Sequence, residues 1–284
     1  MKYLITLLVF TSVSAAYAED GFRHHQYKTG EVIRYSFEDS DTIFSAVEKD
    51  GSVQAGELFR VQEIRIPVKI ELISKGKELS RKLTVLPATR YRTASFDTLA
   101  RTSFEPVTKL STNVSEAFSY SYKDDTEALN NLQKIFEQVR KDEVGDFLFF
   151  KVMDMHQMQE SMEKIPEGIS PGQTRFYEGH ERQGFGGKFI AAPGQLIYQG
   201  TETYNGVRAG YFKVVSLGHQ FVVPSMNVYT NFTFTMHVAL EGPRQGLLLF
   251  GEGQETATAL KEIEKGKFLP QAIVQRQFSI RLEQ

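Results

Sequence analysis

Residues 124–165 constrain the fold more than any other stretch, because they carry the one long run of sustained helical period and are flanked on both sides by β-patterned sequence. Asp124, Asp125 and Thr126 can accept hydrogen bonds from the free N–H groups of a first helical turn, and the acids suit its positive end. Ala128, Leu129, Leu132, Ile135, Phe136 and Val139 then recur at helical spacing, with Asn130, Asn131, Lys134, Glu137 and Arg140 between them. Gly145 is expected to break the run and Asp146 to cap a second helix, which Pro166 stops. That second helix holds Phe147, Phe150, Met153, Met155, Met158 and Met162 on a broad apolar face. Such a face fills a core, since methionine adapts to irregular gaps, or forms a pliable wall against an apolar ligand. The six residues are the candidate ligand-binding set.

Residues 1–18 read as a signal peptide. Lys2 gives a positive start, residues 4–10 an apolar core, and Ala16-Tyr17-Ala18 a small-x-small cleavage site, with cleavage expected after Ala18. No later run reaches bilayer-spanning length, so the mature chain should be soluble after export. With no cysteine among the 284 residues, disulfides, thiolate metal sites and cysteine nucleophiles are excluded. An exported chain of this kind fits a bacterial periplasm or exterior. A net charge of −2 shows no footprint for nucleic acid. About 266 residues remain after cleavage, enough for a large core.

The rest of the chain predicts an α+β protein, mainly antiparallel β. Residues 19–29 form a polar leader with His24-His25, either disordered or crossing to a sheet edge. Residues 30–122 form an N-terminal β block, 123–165 the central helices and 166–284 a C-terminal β block: two curved meanders around a helical segment. Val32, Arg34 and Ser36 alternate with Ile33, Tyr35 and Phe37 as in a half-buried strand. Asp39-Ser40-Asp41 reads as a turn, and Asp39/Asp41 as turn positions. Pro67 marks an edge or bulge in the strand over 64–72. Phe96 and Phe104 are anchors in a long connection over 90–112. Gly184-Phe185-Gly186-Gly187 reads as a hairpin loop, lacking the strand-before, helix-after context of a phosphate loop. Asn205-Gly206 is a hairpin signal. Residues 228–240 form the clearest strand, long enough for a curved or barrel-like sheet. A short helix is expected over 256–265 and a closing strand over 272–282.

No nucleophile elbow, zincin, Walker or dinucleotide motif occurs, and no cofactor or metal is expected. His156 with Asp154 and Glu160 reads as a solvated helix face, since a metal site needs further ligands. The order of elements is an export signal, a meander and helices, then Ile165-Pro166-Glu167-Gly168, Pro171-Gly172 and the hairpin Gly200-Thr201-Glu202-Thr203-Tyr204-Asn205-Gly206-Val207. That order resembles uncharacterised exported bacterial β-rich proteins. Their shape is similar to the half-barrels of periplasmic lipoprotein carriers, in which a curved sheet and helices enclose acyl chains. The resemblance implies a non-catalytic exported protein binding an apolar or amphipathic, lipid-like ligand in a β concavity. It carries over no functional residue. The alternatives are an envelope protein–protein interaction module and a hydrolase gathering His180, His219 or His237 with carboxylates.

Overall fold

The computed structural model describes residues 21–75, 78–87, 89–95, 118–123, 125–139, 143–184, 187–223 and 226–283. The signal-peptide expectation, Phe96 and Phe104 lie outside them. Among the described residues thirteen strands form one sheet, and every pairing is antiparallel. In chain order the first are β1 (Val32–Lys49), β2 (Ser52–Lys75), β3 (Glu78–Val85), β4 (Arg90–Ser95) and β5 (Ser119–Tyr122). Two helices follow, α1 (Asp125–Val139) and α2 (Glu143–Glu163). Then come β6 (Thr174–Tyr177), β7 (His180–Gly184), β8 (Gly187–Ala191), β9 (Gly194–Tyr204), β10 (Val207–Val223), β11 (Met226–Ala239), β12 (Leu248–Glu264) and β13 (Lys267–Leu282). The spatial order is β5-β3-β2-β1-β13-β12-β11-β10-β8-β7, with β4 beside β2, β9 beside β10 and β6 beside β9. The sheet is open rather than closed into a barrel. Both β-patterned regions belong to it, joined where β1 pairs with β13 from Tyr35↔Leu282 to Ser45↔Ala272.

Several expectations are corrected. Asp39-Ser40-Asp41 is no turn: β1 runs through it, and Asp39 and Asp41 keep the phase of Ile33, Tyr35 and Phe37. Residues 256–264 are not helical. They continue β12, where ladders to β11 and β13 occupy the backbone, so sheet context overrides the helix propensity of Ala257, Ala259 and Leu260. Gly145 and Asp146 lie inside α2, whose start is at Glu143. Residues 90–95, expected as irregular connection, form β4.

Other local signals are met. Asn205 and Gly206 take φ of 48° and 79°, as a two-residue hairpin between β9 and β10 demands. Pro67 sits where the second edge of β2 changes partner, from β4 at Arg65↔Arg90 to β3 at Val68↔Val85. A missing N–H is tolerated at such a break. Residues 21–30 run from Ile169 and Phe212 to β2, where the Gly30 N–H donates to Leu72 O at 2.7 Å. Phe22 is fully buried edge-on to Phe212, and its N–H donates to Ile169 O at 3.1 Å.

The helices cover the face of Phe37, Ile66 and Phe278. Ala128, Leu132, Ile135 and Val139 of α1 and Leu148, Phe149, Val152 and Met155 of α2 join these residues in one apolar core. At its centre the Phe278 ring stacks on Phe234 at 5.8 Å, with the Arg276 guanidinium 4.8 Å from its centroid. The ring lies across the backbone of Gly253, where an added Cβ would stand 2.2 Å from Phe278 Cζ.

Candidate functional site

Side chains alternate along a strand, so each cross-strand row belongs to one face. On the helix side, registered pairs run Ser216↔Phe232↔Glu255↔Arg276↔Asp41↔Gln62. The neighbouring row runs Val214↔Phe234↔Gly253↔Phe278↔Asp39↔Ile64. Charged residues therefore sit in rows otherwise filled by rings and aliphatic groups. From above, α2 adds Lys151 and Asp154.

These six groups form a compact ionic network. Lys151 Nζ lies 2.7 Å from both Asp39 Oδ1 and Asp41 Oδ2. Arg276 places Nε and Nη2 2.5 Å from Asp39 Oδ2, and Nη1 2.8 Å from Asp154 Oδ2 and 2.9 Å from Glu255 Oε2. Asp39, Asp41, Lys151 and Arg276 are buried, while Asp154 and Glu255 reach partly to solvent. Burial would raise the Asp39 carboxyl, but Arg276 and Lys151 beside it prevail and hold it below the usual range. Asp41 goes the other way: burial, joined by the negative charge of Asp39, pushes it up to about 6 against the pull of Lys151 and Arg276. Burial also raises Asp154. The sequence reading missed this network. Its signal was charge at apolar phase: Asp39 and Asp41 follow Phe37 at spacing two, Arg276 precedes Phe278 and Ile280, and Lys151 lies among Leu148, Val152 and Met155.

The opposite face of the same strands forms an open trough of about 1550 Å³. Two polar rows line its floor. One is Lys213↔Thr235↔Glu252↔Ser279↔Glu38↔Arg65, and the other Thr233↔Gln254↔Gln277↔Ser40↔Glu63↔Arg92. Arg65 and Glu38 approach to 3.4 Å, and Arg92 and Glu63 to 3.5 Å, all substantially exposed. One row further along, Tyr211, His237 and Phe250 lie in register. The His237 ring stacks between Tyr204 at 4.6 Å and Tyr211 at 5.0 Å, and its Nε2 meets the Glu202 carboxylate. Tyr211 lines the trough, so an aromatic shelf adjoins the polar floor.

The sequence candidates fall elsewhere. Met155 and Met162 are buried in the core, and Phe150, Met153 and Met158 are half-buried against it. Phe147 belongs to α2, but its side chain lies outside the described residues. None of these five described side chains lines the trough. His156, expected on a solvated face, is buried against Tyr122 with ring centroids 5.0 Å apart, while Asp154 turns to Arg276. The side chain of Glu160 is outside the described residues, and among the described residues no His, Asp and Glu cluster could hold a metal. His180, His219 and His237 do not converge. His219 accepts the Ala192 N–H at 3.2 Å and stacks on Phe189 on the helix-side face, with the His180 ring 6.5 Å from Phe189, whereas His237 faces the trough side. Among the described residues no helix is long and apolar enough to cross a membrane.

No protein-family model matches the chain, and no curated protein matches it. Among solved structures it is similar to lipovitellin, described for its lipid–protein interactions, at 13% identity and TM-score 0.44. That match covers 91% of this chain, which spans only 26% of the length of the other. It is also similar to an outer membrane channel from Pseudomonas putida F1, at 10% identity and TM-score 0.26, over 92% of this chain and 98% of that one. An exported protein with a YmcC-like fold from Bacteroides fragilis matches at 10% identity and TM-score 0.22, over 93% and 100% of the two chains. Similarities this distant carry no functional argument.

Proposed function

We propose that this is an exported, non-catalytic binding protein that holds an extended amphipathic ligand in the trough of its sheet. The observation that carries this reading is the trough itself: about 1550 Å³ of open space with ladders of hydroxyl, amide and charged side chains beside the shelf of Tyr204, Tyr211 and His237. Binding sites are concave and combine apolar surface with a few convergent polar groups, and this floor offers both. The acyl chain or ring system of the ligand lies on the aromatic shelf, and its polar part runs along the Thr235 and Gln254 rows. Native mass spectrometry of protein purified from its host tests this. A copurifying small molecule retained by the wild type and lost in a Tyr211→Ala, Thr235→Arg double variant is the expected result. Ligand-free wild type, or retention unchanged in the variant, overturns it.

A second reading keeps the methionine-rich helix as the ligand wall, with Phe147, Phe150, Met153, Met155, Met158 and Met162 as its lining. It is favoured by the half-buried state of Phe150, Met153 and Met158. Loss of the copurifying molecule on Met153→Gln and Met158→Gln, with the trough variant still loaded, selects it over the first.

A further inference from the structure

We infer that the buried charge network is a proton-operated latch: it holds α2 against the sheet while protonated and loosens it when the protons leave. The geometry alone gives the reason. Among the described residues, four carboxylates (Asp39, Asp41, Asp154 and Glu255) share two cations, Lys151 and Arg276. Fully ionised, the cluster carries two more negative than positive charges in a seam largely withdrawn from water. Uncompensated buried charge is costly, and the group yields by taking up a proton. The helix contributes one member of each sign, Lys151 and Asp154, so the network is also what ties α2 to β1 and β13.

Among the described residues, Arg60 of β2 stands on the same face, two residues from Gln62 and opposite Ile43. Beyond Asp41, β2 offers Gln62, hydrogen-bonded to Tyr91 of β4 at 2.9 Å. From β10, His219 is the titratable group that feels Glu255; burial lowers its pKa, so it adds no positive charge at neutral pH. On α2, His156 lies against Tyr120 and Tyr122. The surplus of carboxylates over cations is met by protons on the network itself: Asp41, raised to about 6, releases its proton near neutrality, with Asp154 shifted in the same direction. Release sets like charges facing each other across the helix–sheet seam. It favours a state in which Leu148, Val152 and Met155 lift from the sheet and uncover apolar surface.

Amide hydrogen exchange on the full chain, corrected for the intrinsic chemical rate, tests the latch. Opening of residues 143–163 is expected to rise about tenfold between about pH 5 and about pH 8, while amides of β12 and β13 change less. An Asp41→Asn, Asp154→Asn double variant is expected to remove that difference. The wild-type series needs no variant to fold. Parallel changes in α2 and in β12–β13 overturn the inference, as does a double variant that keeps the wild-type slope. The outcome is independent of whether the trough holds a ligand.

Discussion

The two faces of this sheet are built from alternate residues of the same strands, yet they treat charge in opposite ways. On the trough side Glu38 meets Arg65 with both side chains half-exposed. One residue along β1, Asp39 meets Arg276 and Lys151 with its own side chain wholly buried. Water screens the first pair, and each partner survives without the other. The second must be satisfied by the protein alone, and it fixes the position of a helix. A carboxylate at one phase of β1 thus belongs to a wet floor, and at the other phase to the core.

Removing one cation from each face is the strongest way to break this comparison. Arg276→Met leaves buried carboxylates without their main partner and is expected to cost about 3–5 kcal/mol or abolish folding. Arg65→Met on the trough side should cost less than about 1 kcal/mol. Urea unfolding of the two variants measures the difference, and similar losses would erase the distinction between the faces.

The pH dependence sharpens it. Asp39 has a depressed pKa, so its contribution is present above the ordinary carboxylate range and is lost as pH falls through its lowered value. Asp41 has a raised pKa, so its contribution is present while it is protonated and is lost as pH rises from the ordinary value of 3.8 to about 6. Stability is therefore expected to peak between these limits and to fall by at most about 3 kcal/mol on going to neutral pH. Thermal unfolding from acid to neutral pH reads this out, and Asp41→Asn should flatten the upper limb.

Gly253→Ala probes packing on the helix side. Its Cβ would meet the Phe278 ring, which Phe234 and Arg276 hold in place, and a loss of about 1–3 kcal/mol is expected from overpacking. On the trough side, Glu252→Gln should change stability by less than about 0.5 kcal/mol. Denaturation midpoints of the two proteins compare them directly.

Much of the fold could be read from residue order. The helical period of 125–139, the Asn205-Gly206 turn and the alternation of 228–239 each state a local rule that the structure obeys. The errors arose where two rules conflicted. Asp39-Ser40-Asp41 has turn composition but strand phase, and phase prevailed because β2 and β13 pair with it from both sides. Residues 256–264 have helix-compatible composition, but two neighbouring ladders claim their backbone. The candidate site was less legible. The trough depends on strands from both halves of the chain coming into register, and the network joins Asp39 to Arg276, 237 positions away. No local pattern announces either. Only the misplaced charges, polar where the period demands apolar, pointed to the second.

The pairing of β1 with β13 has a further consequence, for the order in which the polypeptide can assemble. One long edge of β1, eleven registered residues from Tyr35 to Ser45, has no partner until residues 272–282 have been made. Contacts this remote in sequence form slowly, and a bare strand edge invites association with other chains. During synthesis this nascent edge, with Asp39 and Asp41 alongside it and Arg276 still to come, would be open to other chains. A chaperone that shields it would do more for yield than any stabilisation of the finished protein.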